Sequence, residues 1–454
     1  MAPYFLRNLV HKRERSADAR PLLKVLGELT WIQWALFFSG WLAWTCDSLD
    51  FFSVSLSVTH LQTQFGKSTT DITTAITLTL LFRSVGAVIF GILSDRFGRK
   101  WPLIWNLILV AILELGAGFV QTFKQFLALR SLLNLPVEAR GVASGFLQEG
   151  YAVGYLLAAV INLFLVPEVS VSWRALFWTA SGVSVFAAFI RLLLPESEVF
   201  LRLKRWKRPG EMLKKHWLLC IYAVLLMTGF NFLSHGSQDL YPTYLTQSKG
   251  ISSHDATVAT IIGNCGAIAG GVFAGWLSQY IGRRLTILIH VLLIGAFIPL
   301  WILPSTFSAL AAGAFCIQFG MQGAWGVIPI QLSEMSPPLS ERLSLVSLIK
   351  SEIWSLLLQR KLNQDHHHRK RKVVNVPDYA KVQGILIGVV AAFVFIVTLI
   401  GPENHGSHFE KHKTAFEEGG GQDDAVMEDE ITPEEGSGRE SGSVLDEKQE
   451  NEKV

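Results

Sequence analysis

Charged residues are scarce in this chain, and that scarcity decides its broad class. Only 17% of the 454 residues are Asp, Glu, Lys or Arg, whereas soluble domains carry about a quarter. Half of the residues are hydrophobic, and several runs approach the roughly 20 apolar residues that cross a bilayer. The composition argues against a water-soluble enzyme and predicts an all-α polytopic membrane protein, with the lipid bilayer as its surroundings.

Cysteine is also rare, and its spacing gives no sign of a metal centre. Cys46, Cys220, Cys265 and Cys316 stand in or beside apolar runs, so we expect buried thiols rather than a disulfide framework. We find no nucleophile–base or metal-ligand spacing, so we expect no enzyme activity and no cofactor. We expect neither a signal peptide, because the N-terminus lacks a short apolar run with a cleavage site, nor a nucleic-acid partner.

Apolar runs that could span a membrane divide the chain into two helical halves. They lie at residues 31–58, 72–93, 103–120, 142–166, 173–194, 217–244, 257–277, 285–303, 307–330 and 384–400. The basic residues at both ends of the first half indicate the cytoplasmic side. We therefore predict a cytoplasmic N-terminus (1–30), an N-terminal half (31–195), a basic cytoplasmic linker (196–216), a C-terminal half (217–401) and an acidic, disordered tail (402–454).

One stretch of the sixth run carries an unusual row of polar side chains. Asn231, His235, Asp239 and Thr243 are each four residues apart, so a helix would stack them on one face with Gln238 beside them. Ionisable groups at bilayer depth usually face a bundle interior or a water-filled path. A His–Asp pair adds protonation chemistry, which favours a substrate or proton pathway over hydrogen bonds that only join helices.

Charged residues in the first two spans are further candidates. Asp47 and Asp50 lie near one helical face, where they could relay a proton; a helix break or a span edge is the structural alternative. Arg83 has the planar fork that binds a carboxylate, which favours contact with an anionic substrate over the alternative, a buried ion pair with Glu114, Glu149 or Asp239. In the fourth predicted span, 142–166, Gln148 could line the path.

A short basic loop occurs twice, once in each half. Residues Gly275, Gly282 and Arg283 match Gly91, Gly98 and Arg99 at a constant offset of 184 (275 − 91), and Asp95 adds an acidic position to the first copy. A repeat at half-chain distance is expected of two parallel six-helix halves. We assign these residues to gating rather than to substrate contact.

The pattern N-x-x-S-H-x-S-Q-D-x-x-x-T at residues 231–243 resembles the signature of the fungal lactate/pyruvate–proton symporters, which are carboxylic acid transporters of the major facilitator superfamily. The resemblance covers roughly residues 25–405. It implies a bundle of two pseudo-repeated halves in the plasma membrane that takes up a short monocarboxylate with a proton.

The resemblance also implies residue roles. Arg83 would hold the substrate carboxylate, His235 and Asp239 would exchange the proton, and Asn231, Gln238 and Thr243 would line the path. The tail would be cytoplasmic and open to phosphorylation, ubiquitylation and regulatory proteins, although the residues themselves leave its side open.

Two regions depart from the family pattern. Residues 123–136 are too short for a fourth span, and residues 339–376 form an atypical insert, predicted not to span, where the family has an eleventh. We therefore expect about ten full spans and a shifted reading frame or mis-spliced gene model at the insert.

Three competing hypotheses stay open. The first is a proton symporter for another organic anion, such as a dicarboxylate or a sialic-acid-like acid. The second is a degenerate paralogue or sensor that does not transport, and the third is a membrane enzyme.

Overall fold

The structure is a computed structural model, and it describes residues 27, 30–68, 71–72, 76, 89, 93–94, 97–98, 100–133, 144–196, 217–335 and 379–401. Within these ranges the secondary structure is helical. The predictions that concern the second span, the linker, the insert at 339–376 and the tail fall wholly or mostly outside them.

Among the described residues, five helices belong to the N-terminal half. They are α1 (Trp31–Phe65), α2 (Lys100–Ala117), α3 (Phe123–Leu133), α4 (Ser144–Phe164) and α5 (Arg174–Leu193). Thr30 starts α1 with a capping box in which Gln33 bonds back to the Thr30 backbone, and Gly66 ends it in the left-handed conformation. Helix α1 packs on α4 and α5, and α2 packs on α5.

Within the part of the C-terminal half that the structure describes, six helices are present. They are α6 (Trp217–Gln238), α7 (Tyr241–Gln247), α8 (Ser253–Ile281), α9 (Arg283–Ile302), α10 (Phe307–Met335) and α11 (Tyr379–Ile400). Their apolar side chains form one continuous core, separate from the clusters of the first half. The two halves meet where α4 packs against α8 and α10.

The outer surface of the bundle is apolar. Among the described residues, six helical segments are long and apolar enough to cross a membrane. Large hydrophobic side chains on their outer faces are exposed, including Phe186, Leu193, Trp276 and Leu292. An exposed apolar belt of this kind matches the hydrocarbon core of a bilayer. The sequence predicted four buried thiols, and Cys46 and Cys220 are indeed buried. The prediction is wrong for the other two, because Cys265 is exposed and Cys316 is only half-buried.

Pairs of glycines bring helix backbones into direct contact in both halves. A Cβ at Gly150 would lie 2.8 Å from the carbonyl oxygen of Trp41. A Cβ at Gly154 would overlap the carbonyl oxygen of Thr45. In the same way, Gly270 leaves room only for the carbonyl of Phe319. Helix α4 is thereby fixed on α1, and α8 on α10, with no layer of side chains between them.

We expect Gly270→Ala to lower the thermal stability of the purified protein, because the new methyl group overlaps the Phe319 backbone. The penalty should be about 1–3 kcal/mol. The matched control is Gly182→Ala in α5, where nothing lies within 4 Å of the added Cβ, so the better helix propensity of alanine should leave the unfolding temperature equal or higher. Equal melting temperatures for the two variants would contradict this packing.

Candidate substrate and proton site

A proline interrupts the polar stretch that the sequence singled out. Helix α6 ends at Gln238 and α7 begins at Tyr241 with Pro242 in its first turn. Proline has no N–H, so the Gln238 carbonyl loses its usual partner four residues on. The Tyr155 hydroxyl on α4 donates to that carbonyl at 3.4 Å instead. The prediction of one unbroken helix through residue 244 is therefore wrong, and the break joins the two halves.

His235 and Asp239 meet directly across the end of α6. The His235 Nδ1 atom lies 3.2 Å from both carboxylate oxygens of Asp239. The Asp239 side chain is 2% exposed and that of His235 is 11% exposed. Because the Asp239 N–H still donates to the His235 carbonyl at 3.1 Å, the last turn survives and holds the two side chains together.

An amide network surrounds this pair. The Gln238 Nε2 atom donates to Gln318 Oε1 at 2.7 Å, and Gln318 Nε2 donates to the Ser237 hydroxyl at 3.3 Å. The Ser234 hydroxyl donates to Gln238 Oε1 at 3.3 Å. These buried groups fix the orientation of Gln238 and give the pair a polar, hydrogen-bonded surrounding.

Aromatic rings from the first half cover the pair. The Phe51 and His235 rings form a T-shaped contact at a centroid distance of 5.3 Å. Phe52 stacks on Tyr155 at 3.6 Å. The site is therefore made by α1 and α4 on one side and by α6 and α10 on the other, which is where a ligand between the halves would lie.

A buried ion pair lies beside this site in the first half. Arg130 Nη1 lies 2.5 Å from Asp50 Oδ1, and Nη2 donates to the Asp50 backbone carbonyl at 3.4 Å. Both side chains are at most 3% exposed. The Arg130 guanidinium also lies over the Phe177 ring at 5.7 Å. Asp50 is the residue directly before Phe51, and Phe51 contacts the His235 ring.

The other predicted site residues lie in different places. Asn231 is buried one turn before His235, and Thr243 is buried in α7 beyond the break. Gln148 is buried at another contact between the halves, where its backbone carbonyl accepts a hydrogen bond from Gln322 Nε2 at 3.0 Å. Asp47 is half-buried on α1. Arg83 lies outside the residues that the structure describes.

The repeated loops share one backbone feature. Gly98 and Gly282 are 184 residues apart (282 − 98) and have φ angles of 94° and 93°, a conformation that favours glycine. Arg283 then pairs with Glu334 at 3.0 Å and donates to the Ser278 hydroxyl at 2.6 Å. Gly275 has open space where a Cβ would lie. The predicted positions Gly91, Asp95 and Arg99 fall outside the described ranges.

Sequence reasoning missed two of these contacts. It did not pair Arg130 with Asp50. Both charged residues are visible in the sequence at membrane depth, where a charge needs a partner of opposite sign. It also missed Gln318, which lies four residues before Gln322 and so on the same face of α10.

A helical bundle of two halves with an apolar outer belt and a buried polar site between them is the architecture of a membrane solute transporter. The chain belongs to the Major Facilitator Superfamily, whose family model matches residues 36–238 and 224–351. It is therefore a multi-pass membrane protein with the all-helical fold that the sequence predicted.

Several known proteins are similar to this chain in sequence or in structure. A Saccharomyces cerevisiae protein called "Carboxylic acid transporter protein homolog" is 33% identical over 87% of this chain and 72% of its own length. A probable 4-methylmuconolactone transporter of Cupriavidus pinatubonensis is 26% identical over 66% of this chain and 76% of its own. The xylose transporter XylE from Escherichia coli superposes with a TM-score of 0.63 at 17% identity, over 81% of this chain and 99% of its own.

These relatives are named as transporters rather than enzymes, which agrees with the expectation from the sequence. The likeness to XylE concerns the fold alone.

Proposed function

We propose that this chain takes up a short monocarboxylate, such as lactate or pyruvate, together with a proton across the plasma membrane. The observation that carries the proposal is the buried His235–Asp239 pair between the halves, with both carboxylate oxygens 3.2 Å from the imidazole. The 33% identical yeast relative named as a carboxylic acid transporter homolog supports an organic acid as substrate.

The charge of this pair gives the coupling a physical basis. Without a bound proton, a neutral imidazole beside a carboxylate has a net charge of about −1, and with one it is neutral. An anion entering the site is repelled by the first state and tolerated by the second, because charges interact strongly where water is excluded. Proton binding therefore precedes substrate binding, and loss of the proton expels the anion.

The remaining residues have supporting roles in this scheme. Gln238, Asn231, Thr243 and Gln148 offer hydrogen bonds to the substrate, and Arg83 binds its carboxylate. Asp50, paired with Arg130, and Asp47 on the same helix contribute to proton coupling. Gly91, Asp95, Gly98, Arg99, Gly275, Gly282 and Arg283 act in the loops on which the halves turn. The loaded, neutral site then lets the halves rock between inward-open and outward-open states.

The test is uptake of labelled lactate at about pH 5 and about pH 7 in cells that lack their own carriers. We expect faster uptake in acid, with competition by unlabelled pyruvate. Competition by muconate or a sialic acid, but not by pyruvate, would show that the substrate is another organic anion rather than a short monocarboxylate. Binding without accumulation in cells that display the protein at their surface would identify a sensor instead.

A further inference from the structure

A second acidic side chain lies between the two halves, away from the His235–Asp239 pair. Glu149 is on α4 and is 6% exposed. Its carboxyl rests against Gly271 of α8, with Oε1 in the place that a Cβ of residue 271 would take. Only glycine leaves room for this contact, so the two halves touch here through one carboxyl group and one bare backbone.

Within the described part of the chain, neither oxygen of Glu149 has a hydrogen-bond partner. This distinguishes it from the other buried carboxyls of the first half, because Asp50 is paired with Arg130 and Glu114 accepts a hydrogen bond from the Ser184 hydroxyl at 3.1 Å. A buried polar group without a partner in a native structure calls for an explanation.

Charged groups on the neighbouring helices do not supply a partner. Helix α4 packs against α1, α5, α8 and α10. On these helices Asp50 is paired with Arg130 and Glu334 with Arg283, while Asp255 faces His254. On α5, Arg191 pairs with Glu196, and Arg174 donates to Gln64 and to the Val120 carbonyl. Among the described residues, no charged side chain is hydrogen-bonded to either Glu149 oxygen.

The position of Glu149 relates it to the proton site. It precedes Tyr155 by six residues on α4, which is about 9 Å along the helix axis. Tyr155 is the residue that bonds to Gln238, next to Asp239. Glu149 thus lies on the same helix that lines the His235–Asp239 pair, displaced toward the end of the bundle where α4 begins and α8 ends.

An ionised carboxylate in such a place is strongly disfavoured, while the neutral acid is tolerated. We propose that Glu149 is a proton-dependent gating residue, which lets α4 close against Gly271 of α8 only when it is protonated and opens this end of the interface when it ionises. In the open state the carboxylate meets water, which stabilises its charge. The O–H proton passes to that water on opening and is regained before closure.

This inference deepens the proposed proton coupling and rests on it for its role in transport, but the gate can be tested without any substrate. Gly326 of α10 faces the same contact, and a Cβ there would lie 3.7 Å from the Gly271 Cα, which is ordinary van der Waals contact. A Gly326→Cys substitution in a chain whose four native cysteines are replaced by serine or alanine therefore reports whether the contact is open. Its labelling rate with a membrane-impermeant maleimide is measured on right-side-out and inside-out vesicles between about pH 5 and pH 8.

The rate is compared at each pH with that of the same chain carrying Glu149→Gln, so that the titration of the thiol itself cancels. Glutamine has the shape of the protonated acid and cannot ionise. We expect a ratio near one at low pH that rises with pH by up to about tenfold per unit. A ratio that stays constant across this range would overturn the proposal.

Gly271→Ala supplies an independent test from the other half. Its methyl group takes the place of Glu149 Oε1, so we expect fast labelling already at low pH and little change with pH. Size-exclusion profiles and surface expression verify the folding of each variant. Slow labelling at low pH with an unchanged pH dependence in Gly271→Ala would show that this contact is not the gate. Because no substrate is present, a positive result here stands even if lactate uptake is not observed.

Discussion

Replacing His235 by alanine removes the acid-stimulated part of uptake. In the proposed scheme the imidazole carries the proton that neutralises Asp239, so without it the site keeps an uncompensated carboxylate beside the entering anion. We expect a fall of about 100-fold or more in uptake at acid pH, the range of a lost proton-transfer group. Labelled lactate uptake in carrier-deficient cells measures it, normalised to protein at the cell surface.

The chain provides a matched control for this substitution. His254 also contacts a neighbouring aspartate, with Nδ1 3.3 Å from Asp255 Oδ1, but its side chain is 70% exposed at the start of α8. His254→Ala removes the same imidazole–carboxylate contact where water replaces it, and uptake should stay within about twofold of the original. Equal losses in both variants would show that the His235 effect is not a property of the buried site.

Asp50→Asn is expected to destabilise the protein more than any other single change discussed above. It leaves the Arg130 guanidinium buried with its charge uncompensated, at an expected cost of about 3–5 kcal/mol. Thermal unfolding of the purified protein, followed by its size-exclusion profile, measures the loss. The exposed counterpart Asp255→Asn should change stability by less than about 1 kcal/mol.

A double variant separates charge from shape at this ion pair. Asp50→Asn combined with Arg130→Gln removes both charges and keeps two groups that can hydrogen-bond, so most of the lost stability should return. A double variant that is as unstable as Asp50→Asn alone would contradict the pairing. If the double variant folds but its uptake no longer responds to pH, the pair takes part in proton coupling as well as in folding.

The sequence predicted the helical bundle well, because membrane spans are recognised by length and apolarity alone. The bounds of α2, α4, α5 and α9 fall within a few residues of the predicted spans. Helix α8 extends four residues further at each end than the predicted span. These agreements depend on local composition and need no knowledge of which helices touch.

Contacts between distant segments could not be predicted in this way. Asp50 and Arg130 are 80 residues apart, and several arrangements of the helices would have offered Asp50 another partner. The position of Glu149 against Gly271 depends on how α4 and α8 are rotated about their axes, which apolar periodicity does not fix. The break before α7 was visible as Pro242, but its effect, a free carbonyl that binds Tyr155, required the other half of the bundle.

The backbone contacts made by the glycine pairs have a mechanical consequence. At Gly150 and Gly154 the backbone of α4 lies directly against carbonyl oxygens of α1, so we expect the two helices to move together as one rigid unit. This unit carries Asp50 and Phe51 on α1 and Glu149 and Tyr155 on α4. If the proposed gate at Glu149 opens, we expect this unit to rotate and to move Phe51 away from the His235 ring. Protonation of Glu149 would then affect the His235–Asp239 pair through this rotation, with no chain of hydrogen bonds between them.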